Sequence, residues 1–187
     1  MDNKLKIINF FGKNIDDSFT MHELSHKLKI PYASFYRTIS GMQDMLIKKK
    51  KGQAYTIEVN TNEPVIKSYL AIASEEEKKE FLTKHPIISK ISESLPPKDV
   101  VVLFGSYAKG TEMEQSDIDI LIINNGGKKT ISFSKYELLF KKKINPIFIK
   151  FAEFKKMLKE KEENVGKRAL KNHIILSNPE KFWECAL

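Results

Sequence analysis

With 187 residues, 41% of them hydrophobic and 30% charged, the chain has an ordinary globular composition with room for one large or two small domains. No apolar run approaches the roughly 20 residues of a membrane span, and the N-terminus lacks the apolar core of a secretory signal. The single cysteine, Cys185, excludes an internal disulfide and fits a reducing cytoplasm.

The formal charge of +8 is uneven: residues 1–60 carry +4, residues 61–99 carry −1 and residues 100–187 carry +5. A basic balance favours polyanions such as nucleotides and nucleic acid. Yet 30 of the 32 basic residues are Lys, and Lys enrichment also marks thermophilic or base-biased sources. Charge alone decides nothing here.

Leu5, Ile7, Ile8 and Phe11 have helical spacing, with Gly12 as a stop. Thr20 caps a second helix with Glu23 as its capping-box partner, and Leu24 and Leu28 form the buried side. Pro31 suits the first turn of a third helix. There Phe35, Ile39, Met42 and Leu46 make a core stripe, while Ser34, Tyr36, Arg37 and Ser40 face elsewhere. Leu46 to Lys50, a turn at Lys51-Gly52, and the alternating run Tyr55 to Val59 read as a hairpin.

Helices followed by a hairpin resemble the winged helix-turn-helix class. The resemblance implies that the third helix enters the major groove of duplex DNA from its N-terminal end. Exposed Tyr32, Ser34, Tyr36 and Arg37 would reach phosphates or base edges, with Lys48, Lys49, Lys50 and Lys51 on the wing beside the backbone. Such domains also serve protein contacts. His22-Glu23-Leu24-Ser25-His26 matches the H-E-x-x-H pattern of zinc proteases. Glu23 already has a capping role and no third ligand follows, so zinc is not expected.

Asn60 to Pro64 reads as a linker. A helix carrying Val65, Tyr69 and Ile72 follows, then a second one capped by Ser74-Glu75-Glu76-Glu77 and ending before His85-Pro86. His85 has no visible partner. Ile87 to Leu95 is amphipathic, and Pro96-Pro97 stops it.

Val100 to Phe104 and Ile118 to Ile123 are short, β-branched runs bounded by turn residues, as buried strands are. Gly105 permits a sharp turn after the first, and Ser106 to Lys109 open a short helix whose free N–H groups suit an anion. Asp117 and Asp119, two apart, face one side while Ile118 points into the core. Two carboxylates opposite a phosphate cradle suit Mg²⁺ held jointly by protein and nucleotide. Gly-Ser or Asp-x-Asp alone would be uninformative; together, each tied to its own strand, they point to phosphoryl or nucleotidyl transfer.

Gly105-Ser106, ten residues, then Asp117-x-Asp119 resembles the signature of the minimal nucleotidyltransferases of the DNA polymerase β superfamily. Lys109-Gly110 stands where that family often has Arg-Gly, and Ser116 matches its usual Ser before the first Asp. The resemblance implies an α/β (α+β) fold, a mixed sheet with flanking helices, binding an NTP with Mg²⁺ or Mn²⁺ and transferring NMP. Gly105, Ser106, Lys109 and Ser116 would hold the nucleotide, and Asp117 and Asp119 the metal. It also suggests a HEPN-type toxin as partner.

One position departs from that pattern. Active members commonly carry a third carboxylate on a later strand, here Ile144 to Ile149, where Asn145 holds the equivalent place. An amide oxygen can bind Mg²⁺ but cannot act as a base near neutral pH. Lys141, Lys142 and Lys143 before that strand read as a solvated helix end or a phosphate contact.

The later runs Phe151 to Leu158 and up to Asn172 are helical, His173 to Leu176 is a strand, and Phe182 and Trp183 are packing groups. The expected organisation is a winged helix over 1–60, a helical connector over 61–97 and a nucleotidyltransferase-like domain over 98–187. The expected activity is Mg²⁺-dependent transfer of NMP, most simply AMP from ATP, to a protein or nucleic-acid acceptor, in an antitoxin-type role. The alternative is a DNA-binding regulator whose second domain binds nucleotide without turnover.

Overall fold

The computed structural model describes residues 1–52 and 54–187. They divide into two compact units, residues 1–73 with Leu187, and residues 74–186. Among the described residues, no helix is long and apolar enough to cross a membrane.

The first unit begins with α1 (Asn3–Lys13), where Asp2 Oδ1 accepts the Leu5 N–H at 2.8 Å as an N-cap. Gly12 does not stop this helix. It is buried within it, and the end comes at Asn14, whose side-chain amide donates to the Phe10 carbonyl. A helical glycine costs about 1 kcal/mol, less than the burial of Ile7, Ile8 and Phe11 returns. In α2 (Met21–Leu28) the expected capping box is present: Thr20 Oγ1 accepts the Glu23 N–H and Glu23 accepts the Thr20 N–H. α3 (Tyr32–Ser40) follows, then the hairpin of β2 (Leu46–Lys51) and β3 (Ala54–Val59).

Phe19–Thr20 forms a short strand, β1, that the sequence pattern does not announce. It pairs with β3 in the order β1-β3-β2, all antiparallel. Two residues are too few for alternation to register. Phe35, Met42 and Leu46 of the expected stripe are buried, and Ile39 is half-buried.

α4 (Val65–Leu82) is one helix, where two were expected. Ser74 does not cap a new helix. Its side chain is buried and its hydroxyl accepts the Trp183 indole N–H at 3.0 Å. The buried apolar positions of α4 are Ile66, Leu70, Ala71 and Ala73, while Val65 and Ile72 are exposed.

The second unit is built on four strands, β4 (Val100–Phe104), β5 (Ile118–Asn124), β6 (Ile144–Lys150) and β7 (Ile174–Ser177), in the order β6-β5-β4-β7. The β5–β6 pair is parallel and the other pairs are antiparallel, giving a mixed sheet. Pro146 lies in β6, an edge strand, where a missing N–H is tolerated.

One core cluster gathers Val101, Leu103, Ile118, Ile120, Ile122, Ile174 and Leu176 from the sheet with residues of three helices. These are α5 (Pro86–Ser92), the short α6 (Gly105–Lys109) and α7 (Ser134–Phe140). α7 begins only at Ser134; Ile131 to Phe133 before it are non-helical, with Phe133 buried in that core. α8 (Phe151–Lys159), α9 (Val165–Lys171) and α10 (Pro179–Ala186) complete the unit. Phe154, Phe182, Trp183 and His173 pack ring against ring, with centroids 5.0 to 5.6 Å apart. Both sheet faces are apolar, so β4 is buried along its whole length.

Candidate active site

Three strand ends meet at one edge of the second unit: the end of β4 and the starts of β5 and β6. In register, Asp119 faces Phe104 on one side and Asn145 on the other. Ile118, between the two aspartates, is fully buried. That burial, worth about 1.5–3 kcal/mol for such a side chain, holds Asp117 and Asp119 on the opposite face.

Gly105 turns the chain from β4 into α6 with φ +75°, a conformation that a side chain opposes. A Cβ there would overlap the Asp119 carboxylate, so the turn and the aspartate are in direct apposition. Ser106 is the next residue of that helix, and its carbonyl accepts the Thr111 N–H at 3.1 Å.

Asn145 closes the other side. Its amide Nδ2 donates to Asp117 Oδ2 at 3.1 Å and to Asp119 Oδ1 at 3.2 Å. The Lys143 ammonium lies 3.3 Å from Asp117 Oδ2. The Asn145 hydrogen bond first, then Lys143, hold the Asp117 carboxyl below the usual carboxylate range, against the opposing effect of desolvation.

Ser116 is tied into the loop before Asp117: its hydroxyl accepts the Met113 N–H at 2.9 Å, and its own N–H donates to the Met113 carbonyl. Lys109 sits on the exposed last turn of α6, and among the described residues no ion pair joins it to either aspartate.

Two neighbours escaped the sequence reading. Lys143 reaches Asp117 because Ile118 pairs with Ile144 in parallel, which sets the two preceding residues side by side. The matching positions before the two strands carry that signal once the pairing is known. His85 does have a partner: its Nε2 lies 3.2 Å from Glu112 Oε1, its Nδ1 bonds the Phe81 carbonyl, and its ring stacks on Phe81. Glu112 lies in the loop between α6 and Asp117, so His85 ties down that loop. Nothing in the local sequence signals a contact 27 residues away.

On the first unit, Tyr32, Tyr36 and Arg37 are exposed on α3 as expected. Ser34 is not: it is half-buried and accepts from the Asn3 side-chain amide at 3.1 Å. On β2, Lys48, Lys49, Lys50 and Lys51 are all exposed as expected; Lys48 lies 4.3 Å over the Tyr55 ring and Lys49 pairs with Glu58. The His22 and His26 rings stand 4.6 Å apart, and Glu23 is occupied by Thr20. Among the described residues, no three His, Cys, Asp or Glu side chains converge as a metal cluster.

A search of curated proteins and a search of solved structures each found no match. A family model described as a nucleotidyltransferase domain matches residues 85–183, just over half of the chain. That span runs from His85 through Gly105, Asp117, Asp119 and Asn145 to Trp183, taking in the whole sheet and the strand ends where the carboxylates meet. The chain belongs to the nucleotidyltransferase domain family, whose members transfer a nucleotide from an NTP and typically use a divalent metal.

Proposed function

We propose that the second unit binds an NTP, ATP in the simplest case, with Mg²⁺ or Mn²⁺ and transfers NMP to a protein or nucleic-acid acceptor. The observation that carries this is the apposition of Asp119 to the Gly105 turn, with Asp117 beside it. A nucleotide's phosphates approaching Gly105 and Ser106 would meet a carboxylate pair able to share a cation with them. Asp117 and Asp119 are hard oxygen donors, as Mg²⁺ requires, and the amide oxygen of Asn145 could join them if the side chain turned over. When bound, the metal supplies charge compensation at the attacked phosphorus. Lys109, on the exposed end of α6, is the cation we assign to the outer phosphates, and Ser116 orders the loop that presents Asp117.

The first unit we read as a winged helix on duplex DNA. Its strand order, exposed α3 aromatics and basic β2 support this, with Tyr36, Arg37 and Lys48 to Lys51 as contacts and Ser34 as a weaker one. A HEPN-type toxin remains the acceptor or partner suggested by the resemblance to minimal nucleotidyltransferases.

A second function is favoured by one observation, the Asn145 amide in the place of a third carboxylate. It leaves no group there to accept a proton, and suits a DNA-binding regulator that holds nucleotide without turnover.

Thermal melting tests the site. Mg²⁺ with ATP should raise the melting temperature of the chain by ligand linkage. Replacing Asp117 and Asp119 together by Asn should abolish the metal-dependent part and leave the ligand-free fold intact. An equal shift in that variant rejects the assignment.

A further inference from the structure

Resting on the nucleotidyltransferase reading of this site, we infer that Asn145 and Lys143 restrict it to one divalent cation, with the Lys143 ammonium supplying further positive charge to the nucleotide's phosphates. Two donors converge on a single oxygen: Asn145 Nδ2 lies 3.1 Å and Lys143 Nζ 3.3 Å from Asp117 Oδ2. The same amide nitrogen holds Asp119 Oδ1 at 3.2 Å. This side of the carboxylate pair therefore faces N–H groups, and an ammonium has no lone pair with which to bind a cation.

The opposite side is different. Asp119 Oδ2 is the atom nearest the place where a Cβ on Gly105 would stand, on the turn where the phosphates are assigned. Asp119 Oδ2 and the second oxygen of Asp117 are thus available to one cation shared with the nucleotide. A second cation would have to displace both Asn145 and Lys143.

Charge points the same way. The two carboxylates and one ammonium leave a single net negative charge on the protein groups, whereas a carboxylate at position 145 without the ammonium would leave three. The protein side therefore attracts a second cation beside the phosphates less than a three-carboxylate site would.

The placement of Lys143 is set by the backbone. Its carbonyl accepts the Ile118 N–H at 2.9 Å, which fixes it beside Asp117 at the start of the parallel pair. Its side chain is 68% exposed, so the ion pair with Asp117 is weak and the ammonium is free to turn to an incoming phosphate.

Electron paramagnetic resonance with manganese(II) and α,β-methylene-ATP, whose α,β bridge NMP transfer cannot cleave, tests this on the full chain. The wild type should hold one manganese per bound nucleotide, with the spectrum of an isolated ion. Asn145→Asp combined with Lys143→Met should hold two, with spin coupling between them. Lys143→Met alone should keep one manganese and weaken nucleotide binding about fivefold. Two coupled ions in the wild type, a single ion in a folded double variant, or unchanged affinity in Lys143→Met overturns the inference. A different pattern marks failure of the functional reading itself: no nucleotide bound, or the same manganese binding after both aspartates become Asn.

Discussion

A methyl group on Gly105 would collide with the carboxylate of Asp119, so the turn after β4 and the start of β5 are cut to fit each other. Gly110, at the other end of α6, has a similar φ of +67° but nothing within 4 Å of an added Cβ. The two glycines separate backbone strain from collision. Gly110→Ala should cost about 1–2 kcal/mol from the left-handed backbone alone. Gly105→Ala should cost more and should also abolish the Mg²⁺-ATP melting shift, because Asp119 must move. Melting with and without Mg²⁺-ATP measures both; equal behaviour of the two variants rejects the apposition.

Asp117 should titrate low in the metal-free protein, for a reason that can be removed. Its carboxyl is held below the usual range by the Asn145 amide first and Lys143 second. A depressed folded-state pKa gives stability that is present above the unfolded value and lost as pH falls through the folded one. Asn145→Ala deletes the main donor, so the Asp117 carboxyl should titrate at higher pH, and the acid-side loss of stability that it contributes should be smaller and complete at higher pH. Carbon-13 NMR of the Asp117 carboxyl in both proteins reads this directly, and coincident titration curves would assign the shift elsewhere.

Ser74 and Trp183 make a stability prediction within the second unit. The indole N–H and the hydroxyl are both buried and meet at 3.0 Å. Ser74→Ala leaves a buried donor without that acceptor and should cost about 1–3 kcal/mol. Ser74→Thr keeps a hydroxyl and separates the hydrogen bond from the added bulk. Denaturant unfolding should show a lower midpoint with an unchanged slope for Ser74→Ala; a midpoint equal to wild type removes the bond from the account.

DNA binding by the full chain should weaken steeply with salt, since each phosphate contact releases counterions. The four lysines of β2 are not equivalent. All four are exposed, but Lys49 already pairs with Glu58 and Lys48 sits over the Tyr55 ring. Lys50→Ala with Lys51→Ala should therefore flatten the logarithmic salt slope more than Lys48→Ala with Lys49→Ala. Arg37→Ala should alter sequence preference more than salt dependence. Fluorescence anisotropy across a salt series checks each. Salt-independent binding, or none at low salt, would turn the first unit towards protein contacts.

Local chemistry made much of this legible. The β4 and β5 runs, the Gly105 turn, the inward Ile118 and the Thr20–Glu23 capping box depend on neighbours within a few residues, so spacing alone revealed them. What was missed depends on contacts far along the chain. Ser-x-x-Glu at Ser74 has the pattern of a helix start, but its hydroxyl is claimed by Trp183, 109 residues on, and α4 runs through. The same applies to His85 with Glu112 and to Lys143 with Asp117, which meet only once β5 and β6 pair. β1 becomes a strand only because β3 lies beside it.

Asn145→Asp distinguishes a slow enzyme from a nucleotide sensor. The Asn145 side chain already touches both aspartates, so the exchange adds a negative charge at nearly constant volume at the position we assign to a third carboxylate. Three carboxylates within hydrogen-bonding distance repel one another, so the variant should melt lower than wild type in chelator. Mg²⁺ with ATP should restore more stability to it than to wild type, since the added charge is then neutralised. A carboxylate can also accept the acceptor's proton, which an amide cannot, and general-base assistance is typically worth about a hundredfold or more. Incorporation of labelled nucleotide into protein or RNA of a lysate should therefore rise by about that factor, and Asp117→Asn with Asp119→Asn should show none. Wild-type labelling that depends on Asp117 and Asp119 establishes an enzyme. Binding of Mg²⁺-ATP by wild type and Asn145→Asp without labelling by either establishes the sensor.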